Sequence, residues 1–143
     1  MSMPKWENIP TLELYLDQVL LYVNQETAPI LSKNEKLLTA SMVNNYVKHG
    51  YLPKPLKKKY GRNHIARLIV LTICKSVFSI SDIAQMMEIQ QQETEGEVLY
   101  NNFIDCLEGQ IFPDTPDFMI KGCQAIRSYK ETMDLMEQLK ELN

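Results

Sequence analysis

The chain has 143 residues, a formal charge of −3 and 45% hydrophobic residues. That length holds one domain with room for a helical extension, and that apolar content suits a globular core rather than a disordered chain. The N-terminal residues lack the apolar run of a signal peptide, and no apolar stretch approaches the roughly 18 residues a membrane span needs, so a cytoplasmic protein is expected.

Taken in order, Trp6, Ile9 and Pro10 lead into a first predicted helix over residues 12–24. Thr11 is its expected cap and Ile9 can staple onto the first turn, while Leu12, Tyr15, Leu16, Val19, Leu20 and Val23 share one side. Residues 24–36 are polar, contain a proline and read as a connecting loop. A short helix follows over residues 39–49. Thr39 is its expected N-cap and Gly50 its stop, because glycine takes left-handed dihedrals without a Cβ clash. Met42, Val43, Tyr46 and Val47 form an apolar face, and Ser41, Asn44, Asn45 and Lys48 the opposite, polar one. Residues 51–61 carry two prolines and a run of lysines, which predicts an extended basic loop anchored by Tyr51 and Tyr60. Residues 63–78 predict a core helix. Ser79 or Ser81 then caps a shorter one over 80–89.

Residues 90–96 read as a polar hinge, 97–108 as a helix stopped by Gly109, and 111–116 as a turn. A last long helix begins at Pro116 or Asp117 and runs to about Leu142. In it Met119, Cys123, Ile126, Tyr129, Met133 and Met136 repeat at steps of three and four, the spacing of a coiled-coil seam. Leu135, Leu139 and Leu142 form an overlapping stripe. The pattern fits packing onto the body of the domain, and it equally fits dimerisation.

Charge is unevenly placed. Residues 36–81 hold nine of the 15 Lys and Arg and none of the 18 Asp and Glu. This module is therefore +9 and the flanks, with six bases against 18 acids, are −12. Such segregation speaks about partners, and a basic surface of this kind fits an anionic polymer, most simply nucleic acid.

The order of elements adds a resemblance. Asn45-Tyr46-Val47-Lys48-His49-Gly50-Tyr51-Leu52, a Pro- and Lys-rich loop to Tyr60, a long helix, and Val77-Phe78-Ser79-Ile80-Ser81-Asp82-Ile83 follow the pattern of the DNA-binding domain of MerR-type regulators. More closely, residues 9–87 resemble a family of bacterial proteins defined by a domain of unknown function, through the segments 10–18, 38–48, 58–60 and 79–83. One departure stands out: residues 29–38 intervene where a MerR-type domain has a tight turn before the recognition helix. The resemblance implies a mostly helical, all-α fold. A MerR-like winged helix-turn-helix would occupy residues 1–90, with a wing able to form a two-stranded ribbon, and a C-terminal helical region would occupy 91–143. It also implies a transcription regulator bound to double-stranded DNA as a homodimer through the last helix.

The candidate DNA-binding residues follow. Ser41, Asn44, Asn45 and Lys48 would reach base edges in the major groove, where Asn pairs with adenine and Lys donates to guanine. Lys54, Lys57, Lys58, Lys59 and Arg62 would grip phosphates. The plain alternatives are an exposed polar helix face and a solvated basic loop, in a protein-interaction module of the same shape that does not bind DNA. No nucleotide-loop, zinc-protease or nucleophile-elbow motif is present, so no enzyme, cofactor or catalytic residue is expected. Cys74, Cys106 and Cys123 are odd in number and lack a CxxC pair, which predicts free thiols in a reducing compartment, neither a disulfide framework nor a zinc site. His49 and His64 have no acid or cysteine beside them and are not expected to hold a metal. His49 instead suits the negative end of its helix.

Overall fold

The structure, a computed structural model, describes residues 3–143. It is mostly helical, with six α-helices and one two-stranded antiparallel sheet among the described residues. Strand β1 (Leu14–Tyr15) leads into α1 (Leu16–Thr27), then α2 (Ala40–Lys48), β2 (Lys59–Tyr60), α3 (Arg62–Cys74), α4 (Ile80–Gln91), α5 (Gly96–Leu107) and α6 (Asp117–Glu141). Short 3-10 turns cover Trp6–Asn8 and Ala28–Ile30. No described helix is long and apolar enough to cross a membrane.

The core is built around α3. Its residues Ile65, Ala66, Leu68, Ile69, Leu71, Thr72, Ile73 and Cys74 are all buried, so apolar side chains cover most of its circumference. A helix of that kind has to be enclosed by neighbours. α1, α4, α5 and β2 all pack on it. α1 contributes Val19 and Val23, α2 contributes Val43 and Tyr46, and α5 contributes Phe103, Ile104 and Leu107. One continuous cluster of buried side chains runs from Met3 to Ile126.

Two ends differ markedly from the predicted ones. The first helix starts at Leu16, not after Thr11, because Leu14 and Tyr15 are spent on pairing with Tyr60 and Lys59. Tyr15 donates its backbone N–H to Gln18 Oε1 at 2.9 Å, and this closes the helix start in place of a threonine cap. Leu12, the first residue of the predicted apolar face, is 75% exposed. α3 ends at Cys74, four residues early, where Val77 and Phe78 both donate to the Cys74 carbonyl and turn the chain toward α4. Ser79 is the cap of α4, its Oγ accepting from Asp82 N at 3.1 Å.

The N-terminal segment is strapped onto α5. Lys5 pairs with the mostly buried Asp105 at 2.6 Å, Trp6 N donates to Asn101 Oδ1 at 2.8 Å, and the Tyr100 hydroxyl donates to the Pro4 carbonyl at 2.7 Å. α6 lies on α5 through Cys123 and Ile126, and Arg127 Nη1 donates to the Cys106 carbonyl at 2.7 Å. The first half of the predicted seam therefore faces the chain's own body, Met136 at its far end is exposed, and so are Leu135, Leu139 and Leu142 of the overlapping stripe.

All three cysteines are free and buried. Burial pushes the Cys74 thiol up to about 12 from its ordinary value of 9.0. A raised pKa means that the folded state holds the proton more tightly than the unfolded chain, so this contribution to stability is complete below about pH 9 and fades as pH rises toward 12. Equilibrium denaturation between pH 8 and pH 11 (about the range where the unfolded thiol titrates) should show stability falling with pH, and the fall should be shallower in Cys74→Ala.

Candidate nucleic-acid interface

The site is a helix and a turn, each fixed by short-range bonds before it meets any partner. α2 begins as its sequence predicts: Thr39 Oγ1 accepts from Met42 N at 3.2 Å. It ends with Gly50 at φ +76°. Tyr51 N donates to the Tyr46 carbonyl at 2.8 Å and Gly50 N to the Val47 carbonyl at 3.1 Å, the paired bonds of a Schellman stop. Burying Val43 and Tyr46 turns the other face outward, and Ser41, Asn44, Asn45 and Lys48 are all exposed there. His49 is also exposed; its Nδ1 lies 2.9 Å from the Asn45 carbonyl and its ring stacks on Tyr51.

A tight turn does not place α2 against α1. The connection is residues 28–39, and a side chain pins its far end. Asn24 of α1 accepts from Leu38 N at 2.9 Å and donates to the Leu38 carbonyl at 3.0 Å. One amide thus satisfies both backbone groups of the residue that buries its side chain just before the α2 cap. The sequence places Asn24 at the edge of a polar loop, and nothing there marks this role.

The basic loop folds into a hairpin tip. Leu56 N donates to the Lys59 carbonyl at 3.1 Å and Lys59 N to the Leu56 carbonyl at 2.9 Å, leaving Lys57 and Lys58 as a two-residue turn. Both have positive φ, +51° and +66°. Two consecutive left-handed residues are the mark of a type I′ turn, a site where Asn and Gly are the usual occupants. The predicted ribbon exists, but its strand β2 pairs with β1 from the N-terminal segment. His64 braces the loop from α3: its Nδ1 accepts from Gly61 N at 3.1 Å, so the Nε2 side carries the proton directed at the Lys54 carbonyl, 3.3 Å away. Arg67 Nε donates to the Tyr51 carbonyl at 2.6 Å while its Nη2 meets Glu88 at 3.1 Å.

The predicted phosphate-gripping residues fall into two groups. Lys54, Lys57 and Lys58 are exposed and, like Lys48, make no ion pair among the described residues. Lys59 and Arg62 are partly buried on aromatic rings: Lys59 Nζ lies 5.6 Å from the Tyr15 centroid and the Arg62 guanidinium 5.5 Å from that of Trp6. These two tie the wing to the N-terminal segment. The Arg62 Nε is buried without a hydrogen-bond partner. Tyr15 and Trp6, the anchors beneath the wing, carry no signal in the sequence beyond being aromatic.

Residues 4–103, more than half of the chain, match the family described as Domain of unknown function (DUF1836). The chain belongs to the DUF1836 family. No curated protein and no solved structure matches it. The DUF1836 match takes in α2, the wing, α3 and α4, and most of α5.

Left-handed dihedrals cost a residue with a Cβ on the order of 1 kcal/mol each. The double substitution Lys57→Asn/Lys58→Gly should therefore raise the unfolding free energy by about 1 kcal/mol in urea denaturation, despite the added freedom of glycine in the unfolded chain.

Proposed function

We propose that this DUF1836 chain is a DNA-binding transcriptional regulator of MerR-like type. In this reading α2 enters the major groove, the hairpin tip at residues 54–58 lies on phosphates, and residues 91–143 serve self-association. A single observation carries it. Within the acid-free stretch of residues 36–81, Ser41, Asn44, Asn45, Lys48, Lys54, Lys57 and Lys58 are exposed, and among the described residues no carboxylate is paired to them. Free cations and amides on one surface attract a polyanion.

The chemistry divides along the two elements. Asn44 and Asn45 can each make a bidentate pair with an adenine edge, and Lys48 can donate to guanine. Lys54, Lys57 and Lys58 carry point charges on flexible stems, suited to phosphate, which positions a protein without reading sequence. Holding Lys57 and Lys58 in left-handed dihedrals keeps the tip of the wing narrow, and strain of that kind gathers at working sites. Self-association fits the exposed leucines of α6. Three free thiols fit the reducing cytoplasm. The reading is not catalytic and asks for no cofactor or metal.

Fluorescence anisotropy with random-sequence duplex DNA tests it. One protomer that neutralises phosphates through Lys54, Lys57 and Lys58 should bind with a log–log salt slope of about −2.7. Lys54→Ala/Lys57→Ala/Lys58→Ala should weaken binding and flatten the slope toward about 0. Asn44→Ala/Asn45→Ala should keep the slope and lose discrimination among sequences. An unchanged slope in the lysine variant would remove the wing from the interface. Absence of binding at low salt would overturn the DNA reading and leave the basic face to an acidic protein surface.

A further inference from the structure

A groove of about 700 Å³ opens among α3, α4, α5 and α6. Val70, Cys74, Met86, Met87, Phe103 and Ile126 are among its lining, and Phe78, Met86 and Phe118 stay 38%, 38% and 43% exposed there. One wall carries a glycine. Gly122 lies inside α6, where glycine weakens a helix, and a Cβ built on it would stand 3.8 Å from the Phe78 ring. Any larger side chain at that position would project into the space.

The same chain carries an apolar ridge with no partner. Leu135, Met136, Leu139 and Leu142 are 59%, 45%, 61% and 81% exposed on the outer half of α6. At about 1.5 Å per residue, the ridge from Leu135 to Leu142 is about 10 Å long and the groove wall from Asp82 to Gln91 about 13 Å. Methionine-lined grooves accept amphipathic helices because the thioether side chain adapts its shape. Charge agrees with the fit: among the described residues, Lys121 on the groove lining and Glu131 beside the ridge form no ion pair.

We propose that the α6 ridge of one copy docks in the groove of a second copy, and that the exchange is reciprocal. It rests on the self-association part of the reading above and is independent of DNA. One ridge in one groove would leave the other ridge and groove open, whereas a two-fold exchange closes the assembly. Area favours the same arrangement. At about 100 Å² for each large apolar side chain, one contact buries on the order of 500 Å². Two contacts with their polar surroundings approach the roughly 1,200 Å² at the lower edge of stable interfaces. In this arrangement the outer half of the last helix packs into the partner's groove, whose wall includes the inner half of the partner's last helix, and the two outer halves do not pair with each other.

Analytical ultracentrifugation of the full chain tests it with variants chosen to stay folded. Leu139 is exposed, so Leu139→Glu removes the ridge without touching the core; Gly122→Trp fills the groove, and Gly122→Ala is the control, with circular dichroism checking the helix content of each. Wild type and Gly122→Ala should dimerise, and Leu139→Glu and Gly122→Trp should each weaken dimerisation at least tenfold. Mixing the two defective variants at high concentration should restore a one-to-one heterodimer, because each supplies the half the other lacks. A wild-type monomer at every concentration would overturn the proposal and leave the groove to a small apolar ligand. A dimeric Gly122→Trp, or a mixture that stays monomeric, would overturn it in favour of pairing along α6 itself. The readout contains no DNA, so its failure is separate from failure of DNA binding.

Discussion

The rest of the structure depends on enclosing α3. A 13-residue helix with eight buried side chains leaves only a strip through Asn63, Arg67 and Val70 toward the open groove, and each neighbouring element has to cover part of the rest. α1, α4 and α5 do so as helices, and β2 does so through Tyr60, which is 4% exposed. Tight packing at this centre transmits position: the residues flanking α3 are the wing on one side and the turn into α4 on the other. Shortening a buried α3 side chain would therefore loosen the basic surface as well as the core.

The outward elements are fastened to this centre by a few polar contacts. Asn24 grips both backbone groups of Leu38, Arg67 holds the Tyr51 carbonyl, and His64 lies between Gly61 and Lys54. Tyr15 and Trp6 support Lys59 and Arg62 from below. These bonds fix where α2 and the hairpin tip stand and leave their working side chains uncommitted. The division between gripping and free cations is physical. A lysine or arginine laid on an aromatic ring has lost part of its hydration and its freedom, whereas Lys54, Lys57 and Lys58 keep both.

Much of this was legible in the residues. Thr39 and Gly50 bound α2 because capping and left-handed stops are local chemistry, and Ser79 marks α4 for the same reason. The outer face of α2 follows from the spacing of Val43 and Tyr46. The failures are non-local. Thr11 looks like a cap, yet Leu14 and Tyr15 are drawn into a strand by a partner some 45 residues away, a pairing that no local pattern encodes. The turn at Lys57 and Lys58 lacks the Asn or Gly that announces a type I′ geometry; the two-way bond between Leu56 and Lys59 imposes it. In α6 two overlapping apolar stripes meet different surroundings: Cys123 and Ile126 of the seam pack inward and the leucines of the other stripe face out, a split that periodicity alone cannot locate. The groove is likewise a property of four helices together.

Membership of the DUF1836 family covers the basic module and most of the core, and the account of function rests on the surface that module presents. Segregated charge, a helix with an exposed amide-rich face and a lysine turn with positive φ lie together in that module. The most direct measurement is a residue-resolved one: amide chemical-shift changes in the ¹⁵N-labelled protein on adding short duplex DNA. The account predicts that the changes concentrate at residues 41–48 and 54–58 and leave the outer half of α6 unmoved. Changes confined to α6 or the N-terminal segment, or no changes at all, would contradict it.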